Sequence, residues 1–175
     1  MIDSQTIQQY FSQHRWLAYT LQIILVLIVI AMISMWQTRH AIRGVAPALT
    51  VRDINNTIRD LQSYRGRPVL IHFWATWCPV CSLQHSTLNA INEDYQLITI
   101  ASWSGTADEV QHYLTQHALQ FPVVVDTSGE LAKRYGVQGT PTSFVLDQAG
   151  IIQFVEQGYT TEWGLRIRLW WLKYK

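Results

Sequence analysis

The sequence predicts an α/β sandwich, a mixed central β-sheet flanked by helices, preceded by one N-terminal transmembrane helix. Three observations carry this expectation. A run of 23 residues without any charge, Trp16 to Thr38, lies between Arg15 and Arg39. Beyond it, short apolar strand-like runs alternate with capped helical segments as far as Gly136. A hairpin signal and one last helical stretch then close the chain.

Composition removes several classes of function. The chain has 175 residues, 49% of them hydrophobic and 14% charged, with a net charge of +1. It is too apolar for a disordered chain. It also lacks the basic surplus that neutralises phosphates, so no nucleic-acid partner is expected. Two cysteines are too few for a disulfide-stapled miniprotein or a four-cysteine zinc site.

The elements follow in chain order. Residues 1–15 are expected as a cytoplasmic tail and 16–38 as an anchor in the inner membrane. The stretch from Leu21 to Ile33 has Gln22 as its only polar member. About 20 apolar residues match a hydrocarbon core of roughly 30 Å. Trp16, Tyr19 and Trp36 stand near the ends, at headgroup level. After Ile33 no small-x-small site follows closely, which favours a retained anchor over a cleaved signal. Arg39, Arg43 and Arg52 outnumber Arg15, a bias toward a cytoplasmic C-terminal side, but long following domains translocate largely regardless of charge. Residues 39–48, with Gly44 to Pro47 at their centre, are expected as a linker, and 49–175 as the domain.

Within that domain Val69–Trp74 reads as a strand buried on both faces. A helix is expected from Pro79 to Asn92, with Pro79 in its first turn, where the missing N–H costs nothing. Gln96–Ala101 is the next strand. Thr106 and Glu109 form a capping box for a helix through His117. Phe121–Val125 is a strand, and Thr127 with Glu130 predicts a second capping box for a helix stopping at Gly136. Thr142–Leu146 and Ile151–Glu156 form a hairpin across residues 147–150. The final helix, Thr161–Leu172, mixes tryptophans with cations. That mixture suits an anionic bilayer surface, yet a terminal amphipathic helix is expected to close the sheet and turn its cations outward.

The chemistry lies in Trp77-Cys78-Pro79-Val80-Cys81. Two cysteines three apart at a helix start have Cα atoms about 5–6 Å apart, within reach of a disulfide. Cys78, at the cap, faces unpaired N–H groups and the positive end of the helix dipole, which favour a thiolate. Cys81, one turn inside, is more enclosed. This asymmetry suits exchange: Cys78 attacks a disulfide, a mixed disulfide forms, and Cys81 resolves it. No metal and no cofactor beyond the redox-active pair itself is expected, and the substrates are protein disulfides.

Residues 73–81, Phe-Trp-Ala-Thr-Trp-Cys-Pro-Val-Cys, resemble the active-site segment of thioredoxin-like proteins, in the membrane-anchored TlpA-type branch. A second segment agrees: Phe121-Pro122-Val123-Val124-Val125-Asp126, then Tyr135 to Asp147 with Gly139-Thr140-Pro141-Thr142 inside it. The Pro79-Val80 dipeptide and the ending Gly158 to Arg166 look most like the suppressor-of-copper-sensitivity group. The resemblance implies a thioredoxin-like fold over residues 49–172. It implies Cys78 as exposed nucleophile and Cys81 as resolving thiol. It further implies a cis Pro141 facing them, with Thr140, Trp77, Pro79 and Val80 lining the substrate.

Two departures qualify the resemblance. His72 stands where a buried acid is usual; it is a candidate for taking a proton from Cys81, although a neutral core histidine is the expected reading. Thr142 replaces the Glu that haem-maturation members carry after the proline, which lowers the alternative of a cytochrome c maturation thioredoxin. Apolar Val80 adds no stabilisation to a thiolate, pointing to a reductase, and the resemblance implies a membrane electron donor of the DsbD type. A tethered dithiol is most useful where disulfides persist. Combined with the resemblance, this outweighs the arginine bias, so the domain is expected in the periplasm, and the resemblance implies copper or redox stress as a setting. A rival is a Cu(I)-binding protein using Cys78 and Cys81 with His85 one turn on; otherwise His85 is expected at the surface.

Overall fold

A computed structural model of the protein describes residues 16, 19–29, 32–33 and 39–175. The chain divides into two compact units, Met1–Arg39 and His40–Lys175. In the first, residues 19–29 are helical, and their Leu, Ile and Val side chains are exposed. Among the described residues no helix is long and apolar enough to cross a membrane. The expected anchor, 16–38, lies partly outside the described residues.

The second unit is built on a six-stranded sheet. Its strands are β1 (Gly44–Val45), β4 (Val69–Trp74), β5 (Gln96–Ser102), β6 (Val123–Asp126), β7 (Thr142–Leu146) and β8 (Ile151–Gln157), in the order β1-β8-β7-β4-β5-β6. A separate two-stranded sheet pairs β2 (Thr50–Arg52) with β3 (Ile58–Asp60). β4 runs parallel to β5 and antiparallel to β7, so the sheet is mixed, as predicted. β4 occupies the middle, and every one of its residues is buried. Gly44 and Val45, within the stretch expected as a linker, pair with Ile152 and Ile151 as a short edge strand.

The strand alternation sorts two cores. Leu70, Trp74, Leu97, Ala101 and Val145 face one side, with Leu88 and Ile91 of α2 (His85–Asp94), Val110 and Leu114 of α3 (Ala107–Gln116), and Leu165, Leu169 and Leu172 of α5 (Glu162–Lys173). Ile71, Phe73, Ile98, Ile100 and Phe144 face the other, against Leu49, Leu61, Ala132 of α4 (Glu130–Arg134) and Tyr135. Trp74 is fully buried, and its Nε1 donates to Thr99 Oγ1 at 3.2 Å.

Local signals for helix starts fare unevenly. Thr106 and Glu109 make the predicted reciprocal capping box. Thr161 caps α5 by accepting from the Gly164 N–H. The box at Thr127 does not form. Its hydroxyl donates to the Gly105 carbonyl at 2.7 Å, and Gly129 is the N-cap residue of α4 without a side chain to offer. Asp126, at the end of β6, supplies the cap from a distance: its carboxylate accepts from Leu131 N (3.2 Å), Ala132 N (3.1 Å) and Ser102 Oγ (2.9 Å). A longer-range acceptor wins because the turn at Gly129, φ +72°, aims the first N–H groups of α4 back at the strand.

The expected single helix from Pro79 to Asn92 is two: α1 (Pro79–Ser82) and α2, interrupted at Leu83 and Gln84. At the interruption Gln84 turns fully inward and its Nε2 donates to the Thr160 carbonyl, 2.9 Å away.

Because Asp126 satisfies three donors, two of them in buried surroundings, Asp126→Ala is expected to cost about 2–3 kcal/mol. Thr127→Ala, losing one exposed bond, is expected to cost well under half as much. Urea unfolding of the two variants checks the order; a costlier Thr127 change would restore the local capping box.

Candidate active site

The site forms where β4 ends. Ala75 is buried, Thr76 and Trp77 turn outward, and Cys78 becomes the N-cap of α1, in extended conformation with φ −91° and ψ 109°. Pro79 follows at the first helical position, as predicted. Cys78 and Cys81 are joined in a disulfide with Cα atoms 5.3 Å apart. Cys78 Sγ accepts the Cys81 N–H at 3.2 Å. That donor is one of the unpaired groups of a helix start, and it is what a thiolate at Cys78 would meet.

On its other side Cys78 Sγ lies 3.6 Å from the Thr140 carbonyl oxygen. The Thr140–Pro141 peptide bond is cis, as the resemblance implies. Thr140 is half-buried, Pro141 buried, and Trp77, Pro79 and Val80 are exposed around the sulfur pair. The structure thus gathers Cys78, Cys81, Thr140 and Pro141 at one end of the sheet, with three exposed side chains as a rim. Cys78 is less open than expected of an exposed nucleophile. It is 6% exposed and Cys81 1%, because the oxidised pair tucks against the 140–141 loop.

Sequence reasoning missed the loop that braces this rim. Trp77, 62% exposed, is held by its Nε1 donating to the Trp103 carbonyl at 2.9 Å. The Thr76 N–H donates to Ser104 Oγ at 3.1 Å, and Ser104 in turn donates to the Ser102 carbonyl. Trp103 adopts φ +53°, uncommon for a bulky residue, which presents its carbonyl to Trp77. The Trp103 indole lies over Gly129, where a Cβ would stand 2.0 Å from its Nε1. No local signal marks this brace, since its partners are 26 and 28 positions apart.

The histidines settle inside. His72 is fully buried, its Nδ1 2.9 Å from Ser143 Oγ, its Nε2 without a partner among the described residues. Burial pushes its pKa down to about 3, with His85 adding a smaller repulsion. His85 is not a surface residue. It packs edge-on to Trp74 (5.6 Å) and Tyr113 (5.7 Å), because the break before α2 rotates it into the core. Burial lowers its pKa to about 4, with His117 second. Among the described residues no group of three or more His, Cys, Asp or Glu side chains is placed to hold a metal ion.

Two predictions follow from this geometry. Gly129→Ala forces the Trp103 indole aside and strains a left-handed turn, so it is expected to cost more than about 1 kcal/mol. It should also slow disulfide exchange while leaving the cysteines intact, and unchanged stability and rate would refute the brace. The second concerns acid. Both buried histidines are neutral when folded but protonate near 6.5 when unfolded, so the unfolded state binds more protons below that pH. The stabilisation is present above pH 6.5 and lost as pH falls toward 4 and 3. Unfolding midpoints of His72→Gln and His85→Phe should therefore fall less steeply with acid than the parent's.

Comparisons with known proteins agree with this geometry. Residues 42–155 match the AhpC/TSA family. A thioredoxin-like protein of Haemophilus influenzae is 31% identical over 88% of this chain and 93% of its own. The thiol-disulfide oxidoreductase ResA of Bacillus thuringiensis is 34% identical over 67% of this chain and 70% of its own. A solved thiol:disulfide interchange protein of the thioredoxin family from Chlorobium tepidum superposes with a TM-score of 0.66 at 22% identity, over 76% of this chain and 98% of that one. With its fold, its helix-capping disulfide and these relatives, the chain belongs to the AhpC/TSA family, as a thioredoxin-like thiol–disulfide oxidoreductase.

Proposed function

We propose that this protein is a membrane-anchored disulfide reductase working on the periplasmic side of a bacterial inner membrane. The observation that carries the dithiol chemistry is Cys78 Sγ, held between the Cys81 N–H at 3.2 Å and the Thr140 carbonyl at 3.6 Å. Once the pair is reduced, the helix-start donor stabilises a Cys78 thiolate, and the Thr140 backbone offers an extended substrate one rung of strand pairing.

The thiolate attacks one sulfur of a substrate disulfide. The new bond joins Cys78 to the substrate, the old S–S bond breaks, and the departing sulfur leaves as a thiolate that takes up a proton. The Cys81 thiol then loses its proton and attacks Cys78 Sγ, releasing the second substrate thiol and closing Cys78–Cys81. Two electrons pass to the substrate, with one proton from Cys81 and one from water. A second dithiol, of a DsbD-type membrane donor, returns them to the pair. In this reading His72 is a packing residue. An imidazole pushed to about 3 is a weak base for a thiol proton.

Two observations support the finer reading. Val80, between the cysteines, is exposed and apolar, so it adds nothing to thiolate stability and leaves the disulfide the more favoured form. The Leu, Ile and Val side chains of residues 19–29 are exposed on a helix. Such a surface calls for an apolar surrounding, as in the anchor read over 16–38. The residue pattern of the suppressor-of-copper-sensitivity group makes copper or redox stress the proposed setting.

The equilibrium potential of Cys78–Cys81 in the full chain tests the direction of electron flow. A value below about −200 mV is expected, and one near −120 mV would make the protein an oxidant. Cys81→Ser should accumulate substrate joined to Cys78, whereas Cys78→Ser should trap none.

A further inference from the structure

α5 carries two apolar stripes, not one. Leu165, Leu169 and Leu172 point inward and are buried against the sheet and α2. At ~100° per residue, Trp163, Ile167, Trp170 and Tyr174 fall on the opposite side, with Trp171 beside them. All five are exposed, Trp163 at 76% and Tyr174 at 70%. Trp171 also stands edge-on to Phe154 of β8 at 5.9 Å, but burying the leucines satisfies the sheet, and the fold gives no reason for the other four. A contiguous aromatic surface is a site for something else.

The flanks of the stripe identify what covers it. On the helix, Arg166 is engaged by Asp94 and Glu162, and Arg168 by Glu156. Lys173 and Lys175 have no carboxylate partner among the described residues. They stand over the stripe's own rings instead, Lys173 Nζ 5.8 Å from the Tyr174 centroid and Lys175 Nζ 4.9 Å from that of Trp171. Three indoles and a phenol with uncompensated ammonium groups at one end form a surface with an apolar body, polar ring tips and net positive charge. That chemistry matches the headgroup boundary of an anionic bilayer better than a dry protein interface, where lysines are depleted.

We propose that the outer face of α5 lies on an anionic lipid surface and holds the catalytic domain side-on to the membrane. The proposal rests on the anchored reading above, which keeps the domain within reach of that surface. α5 starts at the active-site end, where Gln84 joins Thr160 to the turn after Cys81, and ends at the β7–β8 hairpin, where Gln148 Nε2 donates to the Lys173 carbonyl at 3.0 Å. With the helix flat on the lipid, Cys78 opens along the membrane surface, toward dithiols presented by membrane proteins.

The test uses the full chain in nanodiscs of phosphatidylcholine alone or mixed with phosphatidylglycerol. Hydroxyl-radical oxidation of each tryptophan is read by mass spectrometry. Trp163, Trp170 and Trp171 are expected to oxidise several-fold more slowly in the anionic discs, with high salt reversing the protection and Trp77 unchanged. Lys173→Gln and Lys175→Gln should each weaken the lipid contact about fivefold while leaving disulfide exchange with a soluble substrate intact. Incorporation into both discs with equal oxidation rates overturns the α5 contact and leaves the anchor standing. Failure to incorporate into either disc overturns both. Protection that follows protein density and ignores lipid charge assigns the stripe to a second copy of the chain and overturns the lipid reading.

Discussion

The active site depends on one constraint: β4 is buried on both faces, so the chain can change direction only where the strand runs out. Val69 to Trp74 pair with β5 on one side, and Val69 to Phe73 with β7 on the other. A turn placed earlier would strand unpaired backbone groups in the core. Ala75 to Trp77 therefore leave the sheet together, and Cys78 falls at the first helical cap. The same sheet brings the residues before β7 to that end, because Phe73 pairs with Thr142, the residue after the cis Pro141. Sheet register thus sets both the sulfur and the carbonyl that faces it.

Precision comes from a second layer. Trp77 is mostly solvated, yet it is tied to the carbonyl of Trp103, whose indole is accommodated by the bare Cα of Gly129. Gly129 in turn opens α4, whose first N–H groups reach back to Asp126. The rim of the disulfide is linked in this way to a cap on the far side of β6. Such connected polar contacts hold an exposed side chain more firmly than surface packing does.

The buried histidines show how placement decides chemistry. Both are held neutral by burial, His72 against Ser143 and His85 among aromatic rings. A surface His85 could have joined the cysteines as a soft-metal ligand. Turned inward, it is a flat aromatic that fills the space between Trp74 and α3. The interruption between α1 and α2 makes that turn, and the buried Gln84 bond to Thr160 holds it.

By itself the sequence determined the alternation of strands and helices, the Cys-x-x-Cys at a strand-to-helix junction, the capping box at Thr106 and the hairpin at 147–150. The resemblance added the cis proline and its meeting with Cys78. These are legible because periodicity and capping act over a few residues, and the two motifs are specific together. Only the tertiary structure decided the strand order, the break at Leu83–Gln84, the capping of α4 by Asp126 in place of Thr127, the burial of His85 and the Trp103 brace. Each of these is settled by groups brought together from separate parts of the chain, as Gln84 meets Thr160 from 76 positions away. α5 shows both limits at once. Its aromatic and basic composition was plain in sequence, but only packing could say that the leucines face the sheet and leave the tryptophans outside.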